Sequence, residues 1–396
     1  MYYNVLMENR SFLIFISCLI LIVGLMAMDF INPSLPYIMK NLSASQQATK
    51  GLMITYLIAL SIAQLFYGTF SDNYGRRRAI VVAFVIAIGG FIVSALSRNI
   101  QMLYVGRFIT ALGLAGSPVI SRALIADVCH DQNSLKKAFS YFAMFSQVSP
   151  ALAPAFGGII QHYASWRVSF VVLALINVAT LIFLYRWMPE SHSIPSIKKP
   201  FRQQLIVYVG LIKERRFLIF SLLSSLVMTF TLGFYSLSPF IFHSMGYNAI
   251  VNGMMCIPYA IGLTSGAFAL GTFLYRFDSE KTFKVIMFSG FLFLILASVI
   301  LYFYVNLLWI GIFAVIIGFM CGNLSALTLS LCLQGFQMNK GAASAVQAFI
   351  RYFFTGIGLR LCNFIELAHF YQLSLIFLTI SLSMIIIYGI ERIYSR

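Results

Sequence analysis

The sequence predicts an all-α integral membrane protein of twelve transmembrane helices in two pseudo-symmetric six-helix halves, and three observations predict it. The first is composition: of 396 residues 60% are hydrophobic and only 10% charged, with a mean hydropathy of +0.90, whereas soluble domains carry about 25% charged residues. The second is spacing. Apolar stretches of roughly 20 residues recur from end to end, each long enough to cross a hydrocarbon core about 30 Å thick. Backbone groups in lipid must find partners within their own segment, so such runs are helices. The third is an internal echo. Gly271-Thr272-Phe273-Leu274-Tyr275-Arg276-Phe277-Asp278 follows the eighth span as Gly68-Thr69-Phe70-Ser71-Asp72-Asn73-Tyr74-Gly75 follows the second. Tyr235-Ser236-Leu237-Ser238-Pro239 in the seventh span aligns likewise with Asp29-Phe30-Ile31-Asn32-Pro33 in the first. Two matches at nearly the same offset imply a six-plus-six duplication.

In chain order the spans fall near 11–35, 48–71, 79–97, 101–126, 136–161, 166–188, 217–241, 249–274, 282–304, 307–332, 342–364 and 369–391. The first is too long, and too free of a small-residue cleavage site, for a removable signal peptide. Residues 1–188 form the N-terminal half and 217–396 the C-terminal half. Between them, 189–216 carries His192, Pro195, Lys198, Lys199, Pro200, Arg202, Lys213, Arg215 and Arg216, which suits a solvated cytoplasmic linker. No soluble domain is left over.

The formal charge of +16 raises nucleic acid as a partner, and its distribution argues against one. An even number of spans places both termini on one side, with the loops after spans two, four, six, eight and ten. That side holds Arg10, Arg76 to Arg78, Lys136, Lys137, the 186–216 group, Arg276, Lys281, Lys284, Lys340, Arg392 and Arg396. The other holds little beyond Lys40, Lys50, Arg98, Arg167 and Arg360. This is the positive-inside asymmetry, so both termini are expected in the cytoplasm and the partner is the lipid bilayer. Cys18, Cys129, Cys256, Cys321, Cys332 and Cys362 lie in or at the ends of spans without C-x-x-C spacing and read as apolar packing residues. No H-E-x-x-H, G-x-S-x-G or Walker loop occurs. The chain therefore offers no catalytic or metal-ligating constellation, no cofactor is expected, and a self-contained ATP-driven pump is disfavoured.

Ionisable residues inside spans are costly and mark function by default. Asp29 lies deep in the first span. A carboxyl held out of water can take up and release a proton as its surroundings change, which is what proton coupling requires; the alternative is a structural carboxylate serving backbone groups freed by Pro33 and Pro36. Arg107, in the fourth span at similar depth, is its natural partner, either as a coupling device or as a permanent ion pair. Arg351 sits near mid-membrane in the eleventh span. An arginine stays charged there and is expected to face the central cavity, a carboxylate or an anionic substrate. Tyr235, Tyr259, Gln147 and Gln347 are further substrate-cavity candidates, with ordinary interhelical packing as the alternative for each. In the fifth span, Pro150, Pro154, Gly157 and Gly158 predict a bendable helix packed closely on a neighbour.

The loop Gly68-Thr69-Phe70-Ser71-Asp72-Asn73-Tyr74-Gly75-Arg76-Arg77-Arg78 after the second span resembles the G-x-L-A-D-R-x-G-R-[RK] hallmark of the major facilitator superfamily. Gly68, Asp72, Gly75, Arg76 and Arg77 match it, while Phe70 replaces the leucine and Asn73 the basic residue. Asp127 with Arg76 or Arg77 would tether an inner gate, and Asp72 would cap the start of span eleven near Gly341 and Ala342, where a helix dipole favours an anion. Other stretches are similar to the bicyclomycin-resistance branch of drug:proton antiporters. They are Asp29 with Pro33 and Pro36, Ser121-Arg122-Ala123 with Asp127, and Ser149-Pro150-Ala151-Leu152-Ala153-Pro154-Ala155-Phe156-Gly157-Gly158. Ser165-Trp166-Arg167-Val168-Ser169-Phe170, Met188-Pro189-Glu190-Ser191, Ser238-Pro239-Phe240 and Gly341-Ala342-Ala343-Ser344-Ala345 extend the likeness over nearly the whole chain. Two departures touch the coupling region or cavity: Arg107-Phe108-Ile109-Thr110-Ala111-Leu112-Gly113 loses the glutamine and one glycine of R-x-x-Q-G-x-G, and Arg351 stands where a neutral polar residue, often glutamine, is expected.

The resemblance implies the major facilitator fold, a bacterial inner-membrane location, a monomer, and protons and a small-molecule substrate as partners. It implies a proton-coupled antiporter that exports a drug or an endogenous metabolite such as a siderophore by alternating access, with Asp29 and Arg107 as coupling residues. Proton-linked nutrient uptake on the same fold, and a non-transporting receptor or assembly subunit, are the alternatives.

Overall fold

Helices begin where the sequence supplies a side-chain acceptor and, in three spans, stop where it supplies a proline. The computed structural model describes residues 10–129, 131–191, 201–334, 340–365 and 367–394. The first span is α1 (Arg10–Asp29), a short 3-10 turn and α2 (Leu35–Asn41). The second and third are α3 (Gln46–Tyr74) and α4 (Arg76–Ala95). The fourth is α5 (Ile100–Leu114) with α6 (Gly116–Val128), the fifth α7 (Gln132–Tyr163) and the sixth α8 (Trp166–Trp187). After α9 (Phe201–Lys213) come α10 (Arg215–Ser244) and then α11 (Ala249–Met254) with α12 (Cys256–Thr272). The remaining spans are α13 (Ser279–Phe303), α14 (Leu307–Leu333), α15 (Lys340–Cys362) and α16 (Phe370–Tyr394). Ten of the twelve spans are helices long and apolar enough to cross a membrane, and the fifth and eleventh positions hold helices of 32 and 23 residues.

Ser45, Asn99, Asp131, Asn248, Asp278 and Asn306 each accept a hydrogen bond from the backbone N–H three residues on. Each thereby serves one of the orphan donors of a helix start. The breaks follow a second rule. The helices α1, α5 and α11 end at Asp29, Leu114 and Met254, each four residues before a proline (Pro33, Pro118 and Pro258). Proline lacks the N–H that would bond the carbonyl four residues back, and its ring clashes with that carbonyl. Pro150, Pro154 and Pro239, by contrast, lie inside the continuous helices α7 and α10.

The halves join chiefly where the second span lies along the eleventh and the fifth along the eighth, and the break in the first span also touches the seventh and eighth. In lipid the driving force between helices is close packing rather than water exclusion. The eighth and tenth spans meet through Gly262, Gly266, Gly318 and Gly322, where an added Cβ would strike a facing backbone carbonyl. That contact fixes Tyr259 in the interior. A smaller apolar cluster (Phe30, Ile31, Leu35, Leu52 and Phe240 among its members) surrounds the break in the first span and takes in the seventh.

Part of the expected linker is not a solvated coil. The helix α9 lies against the second span, with the Phe201 ring stacked on Phe66 at 4.5 Å and the Thr69 hydroxyl bonded to Gln204. Tyr208 and Leu211 are buried. His192, Pro195, Lys198, Lys199, Pro200 and Arg396 lie outside the described residues.

Candidate functional site

The proline-induced end of α1 creates a charged polar site in the interior. A helix end leaves carbonyls without intrahelical partners and carries partial negative charge. Arg107, from α5, donates through Nη1 to one of them, the Ala27 carbonyl, at 2.9 Å. Its guanidinium lies 4.2 Å over the Tyr56 ring, a cation–π contact that replaces part of the lost hydration, while Nε and Nη2 have no partner. Asp29, the last residue of α1, accepts from Asn32 Nδ2 at 3.3 Å across the break. The two charged side chains, 0% and 1% exposed, interact electrostatically, yet among the described residues no ion pair within 4.0 Å joins them. The carboxyl and the guanidinium are neighbours, each held by other groups. Tyr56 carries no sequence signal that would single it out.

At the end of the bundle away from the termini, the halves close on backbone. A Cβ on Gly157 would run into the Phe30 carbonyl, one on Gly158 into the Ala249 carbonyl, and one on Gly253 into the Pro154 carbonyl. The glycines of α7 thus press it against the first-span break on one side and α11 on the other. Tyr37 and His243 add a ring contact at 5.4 Å. Lys50 donates to the Ile365 carbonyl at 3.2 Å and lies 5.6 Å from the Phe240 ring centroid.

The cavity candidates part company. Tyr259 donates to Thr231 Oγ1 at 3.0 Å and Gln347 Nε2 to Ser224 Oγ at 3.1 Å, so both use polar atoms inside the C-terminal half. Tyr235 is fully buried, 5.2 Å from the Tyr259 ring, and its hydroxyl has no partner. The Gln147 side chain lies outside the described part of the structure. Arg351 is partly exposed, its guanidinium 4.9 Å from the Tyr352 ring centroid and its Nε without a partner.

The 68–78 stretch, expected as a loop, is the end of α3 and the start of α4 with Gly75 alone between them. Arg76 donates from Nε to Asp127 at 3.0 Å and from Nη1 to Ser71 Oγ at 2.7 Å and to Asp72. Asp72 thus pairs with Arg76 four residues on. Glu190, in the segment after α8, accepts from the backbone N–H groups of Arg76 at 2.7 Å and Arg77 at 3.2 Å. It caps α4 with a carboxylate, the charge a helix N-terminus favours. Ser191 donates to Asp127 at 3.1 Å, and Arg77 bonds the Tyr185 carbonyl. Gly68 has open space where a Cβ would stand.

Gly75 has two reasons to be glycine. Its φ is +93°, and a Cβ would collide with the Glu190 carboxylate. Gly75→Ala is therefore expected to cost roughly 1–3 kcal/mol, read as a lower Tm of the purified protein. An unchanged Tm would show that the loop relaxes freely around Glu190.

A sequence profile described as the Major Facilitator Superfamily matches residues 17–359. Multidrug resistance protein D of Escherichia coli is 29% identical over 176 residues, covering 44% of this chain and 44% of that protein. Chloramphenicol resistance protein CraA of Acinetobacter baumannii is 26% identical over 322 residues, covering 80% of this chain and 77% of that protein. Among solved structures, a bacterial homolog of the human lysosomal transporter Spinster, in an inward-facing and occupied conformation, superposes with a TM-score of 0.72 at 16% identity. The superposition covers 98% of this chain and 97% of that one, a likeness of fold.

Proposed function

This chain belongs to the Major Facilitator Superfamily, and on that premise we propose that it is a proton-coupled antiporter exporting small organic molecules across a bacterial inner membrane. The observation that carries the reading is Asp29. It is a carboxyl buried at a helix break, beside an arginine with two unpartnered nitrogens and next to the packing of α7 on the first span. The names of the relatives, one a multidrug and one a chloramphenicol resistance protein, support drugs as substrates.

In this reading residues 1–188 and 217–396 are the bodies that rock, and 189–216 ties them at the cytoplasmic side. Proton binding at Asp29 removes the charge that faces Arg107. The guanidinium then rests on the Ala27 carbonyl and Tyr56 alone, which alters the balance of contacts at the break that α7 presses on. The glycine contacts of Gly158 with Ala249 and of Gly253 with Pro154 form the outer gate. The Arg76–Asp127–Glu190 cluster keeps the ends of the second, third, fourth and sixth spans moving as one body.

Everted membrane vesicles test the reading, with radiolabelled chloramphenicol as the probe. Acidifying the lumen is expected to drive accumulation several-fold above vesicles lacking the protein, and a protonophore should abolish it. Accumulation that ignores the protonophore would refute proton coupling. Solute uptake confined to right-side-out vesicles would reverse the direction and favour nutrient import.

A further inference from the structure

A buried arginine beside a buried carboxyl gains most by closing on it, because the pair offsets the hydration both have lost. Arg107 and Asp29 do not close: no contact within 4.0 Å joins them. Arg107 Nη1 donates at 2.9 Å to the carbonyl of Ala27, two residues before Asp29, while Asp29 accepts from Asn32 at 3.3 Å. Nε and Nη2 of Arg107 have no hydrogen-bond partner, so hydrogen bonds alone do not explain where the guanidinium rests. Under it lies the Tyr56 ring, with Cζ 4.2 Å from the ring centroid.

Close helix packing fixes that contact. A Cβ on Gly51 would strike the Tyr104 hydroxyl, which donates to the Ala48 carbonyl at 2.5 Å, so α3 and α5 are clamped one turn from Arg107. Gly24 meets Ser117 in the same way and holds α1 to the fourth span. Residues two apart on a helix lie on nearly opposite faces, and Ile54 and Ile58 flank Tyr56 at that spacing. A Cβ on Gly356 of α15 would come within 3.4 Å of the Ile58 side chain and 3.8 Å of the Ile54 carbonyl. One face of α3 thus carries Arg107 on a ring, and the other meets the C-terminal half. The Tyr56 hydroxyl is buried without a partner, which leaves the ring as the part of Tyr56 that touches the charge. The other titratable groups that sense Asp29 are Tyr235 and Cys256, from the seventh and eighth spans. Arg107 is the cation of the set, so the charge balance at the carboxyl turns on where the guanidinium rests.

We propose that Tyr56 is the positioning residue of the proton site: its ring face holds the Arg107 guanidinium off Asp29, which keeps the carboxyl free to load and release a proton. The proposal rests on the reading of Asp29 as the proton carrier. The negative face of an aromatic ring attracts a desolvated cation strongly, yet it neither accepts a proton nor changes charge. A permanent Asp29–Arg107 ion pair would instead favour the charged carboxylate and lock the site. Because Tyr56 stands on the helix that meets α15, a shift of the guanidinium on its ring bears directly on the joint between the halves.

The test is an infrared pH titration of the purified full-length protein in a neutral detergent, following the protonated-carboxyl C=O band that Asp29→Asn removes. The wild type and Tyr56→Phe should share one midpoint, because phenylalanine keeps the ring face. Tyr56→Leu should move the midpoint toward acid by about one pH unit, a roughly tenfold change in proton binding, as the released guanidinium closes on the carboxylate. Pentafluorophenylalanine in place of Tyr56 should do the same. It fills nearly the same space with the ring quadrupole reversed, so its shift reports charge rather than packing and does not depend on the leucine variant folding. The proposal is overturned if the fluorinated ring leaves the midpoint in place, whatever leucine does. It is equally overturned if phenylalanine shifts the midpoint as far as leucine, since the hydroxyl would then be the group that matters. If Asp29→Asn removes no titrating band, the proton-carrier reading itself fails and takes this proposal with it, a result distinct from the other two.

Discussion

Asp29→Asn is expected to reduce transport driven by a pH gradient to the level of protein-free vesicles, while exchange of substrate without a gradient continues. Asparagine has nearly the shape of aspartate and can still accept the hydrogen bond that Asn32 Nδ2 makes to Oδ1 at 3.3 Å. The break at the end of α1 should therefore survive the substitution. What disappears is the ability to change charge beside Arg107, whose Nε and Nη2 have no hydrogen-bond partner. Exchange moves substrate both ways with no net proton, so it needs the rocking motion and not the titration. The paired assay separates coupling from architecture: loss of both activities with a lowered Tm would mark Asp29 as a structural carboxylate, and gradient-driven transport at wild-type rates would remove it from coupling altogether.

The spans and the glycine-arginine loop were legible because they rest on short-range physics: apolar length, charge asymmetry and turn chemistry. The three helix breaks were legible only in part. Pro33, Pro118 and Pro258 announce a missing N–H, yet Pro150, Pro154 and Pro239 do so equally and leave their helices continuous. Neighbouring helices decide between the two outcomes, and a single sequence does not show them. Helix rotation was hidden for a related reason. In spans apolar on every side, periodicity does not reveal that Arg107 faces Tyr56 or reaches the Ala27 carbonyl. The buried face of α9 left a usable trace, since Phe201, Gln204, Tyr208 and Leu211 recur at helical spacing, but the basic residues around them dominated the reading. Glu190 stands in a recognisable sequence motif, while its job, capping α4 more than 100 residues earlier in the chain, appears only when the sixth span returns to Gly75.

Gly158→Leu should wedge apart the end of the bundle away from the termini and stop transport. The glycine stands where any Cβ would overlap the Ala249 carbonyl, and Gly253 meets the Pro154 carbonyl from the other side, so neither partner is a side chain that can swing away. Overpacking of this kind costs about 1–3 kcal/mol. Because each 1.4 kcal/mol moves an equilibrium about tenfold, the closed arrangement should lose its advantage by roughly one to two orders of magnitude. Asn252, buried on α11 at that end, offers a reporter: in an Asn252→Cys background a membrane-impermeant maleimide added from that side should react far faster once Gly158→Leu is present. The six native cysteines are all buried, which keeps the background low. Gly158→Ala should fall between glycine and leucine in both labelling and transport, as a graded steric effect requires. Slow labelling together with normal transport in the leucine variant would mean that the fifth and eighth spans separate without passing through this contact, and the gate would have to be sought at Tyr37 and His243 instead.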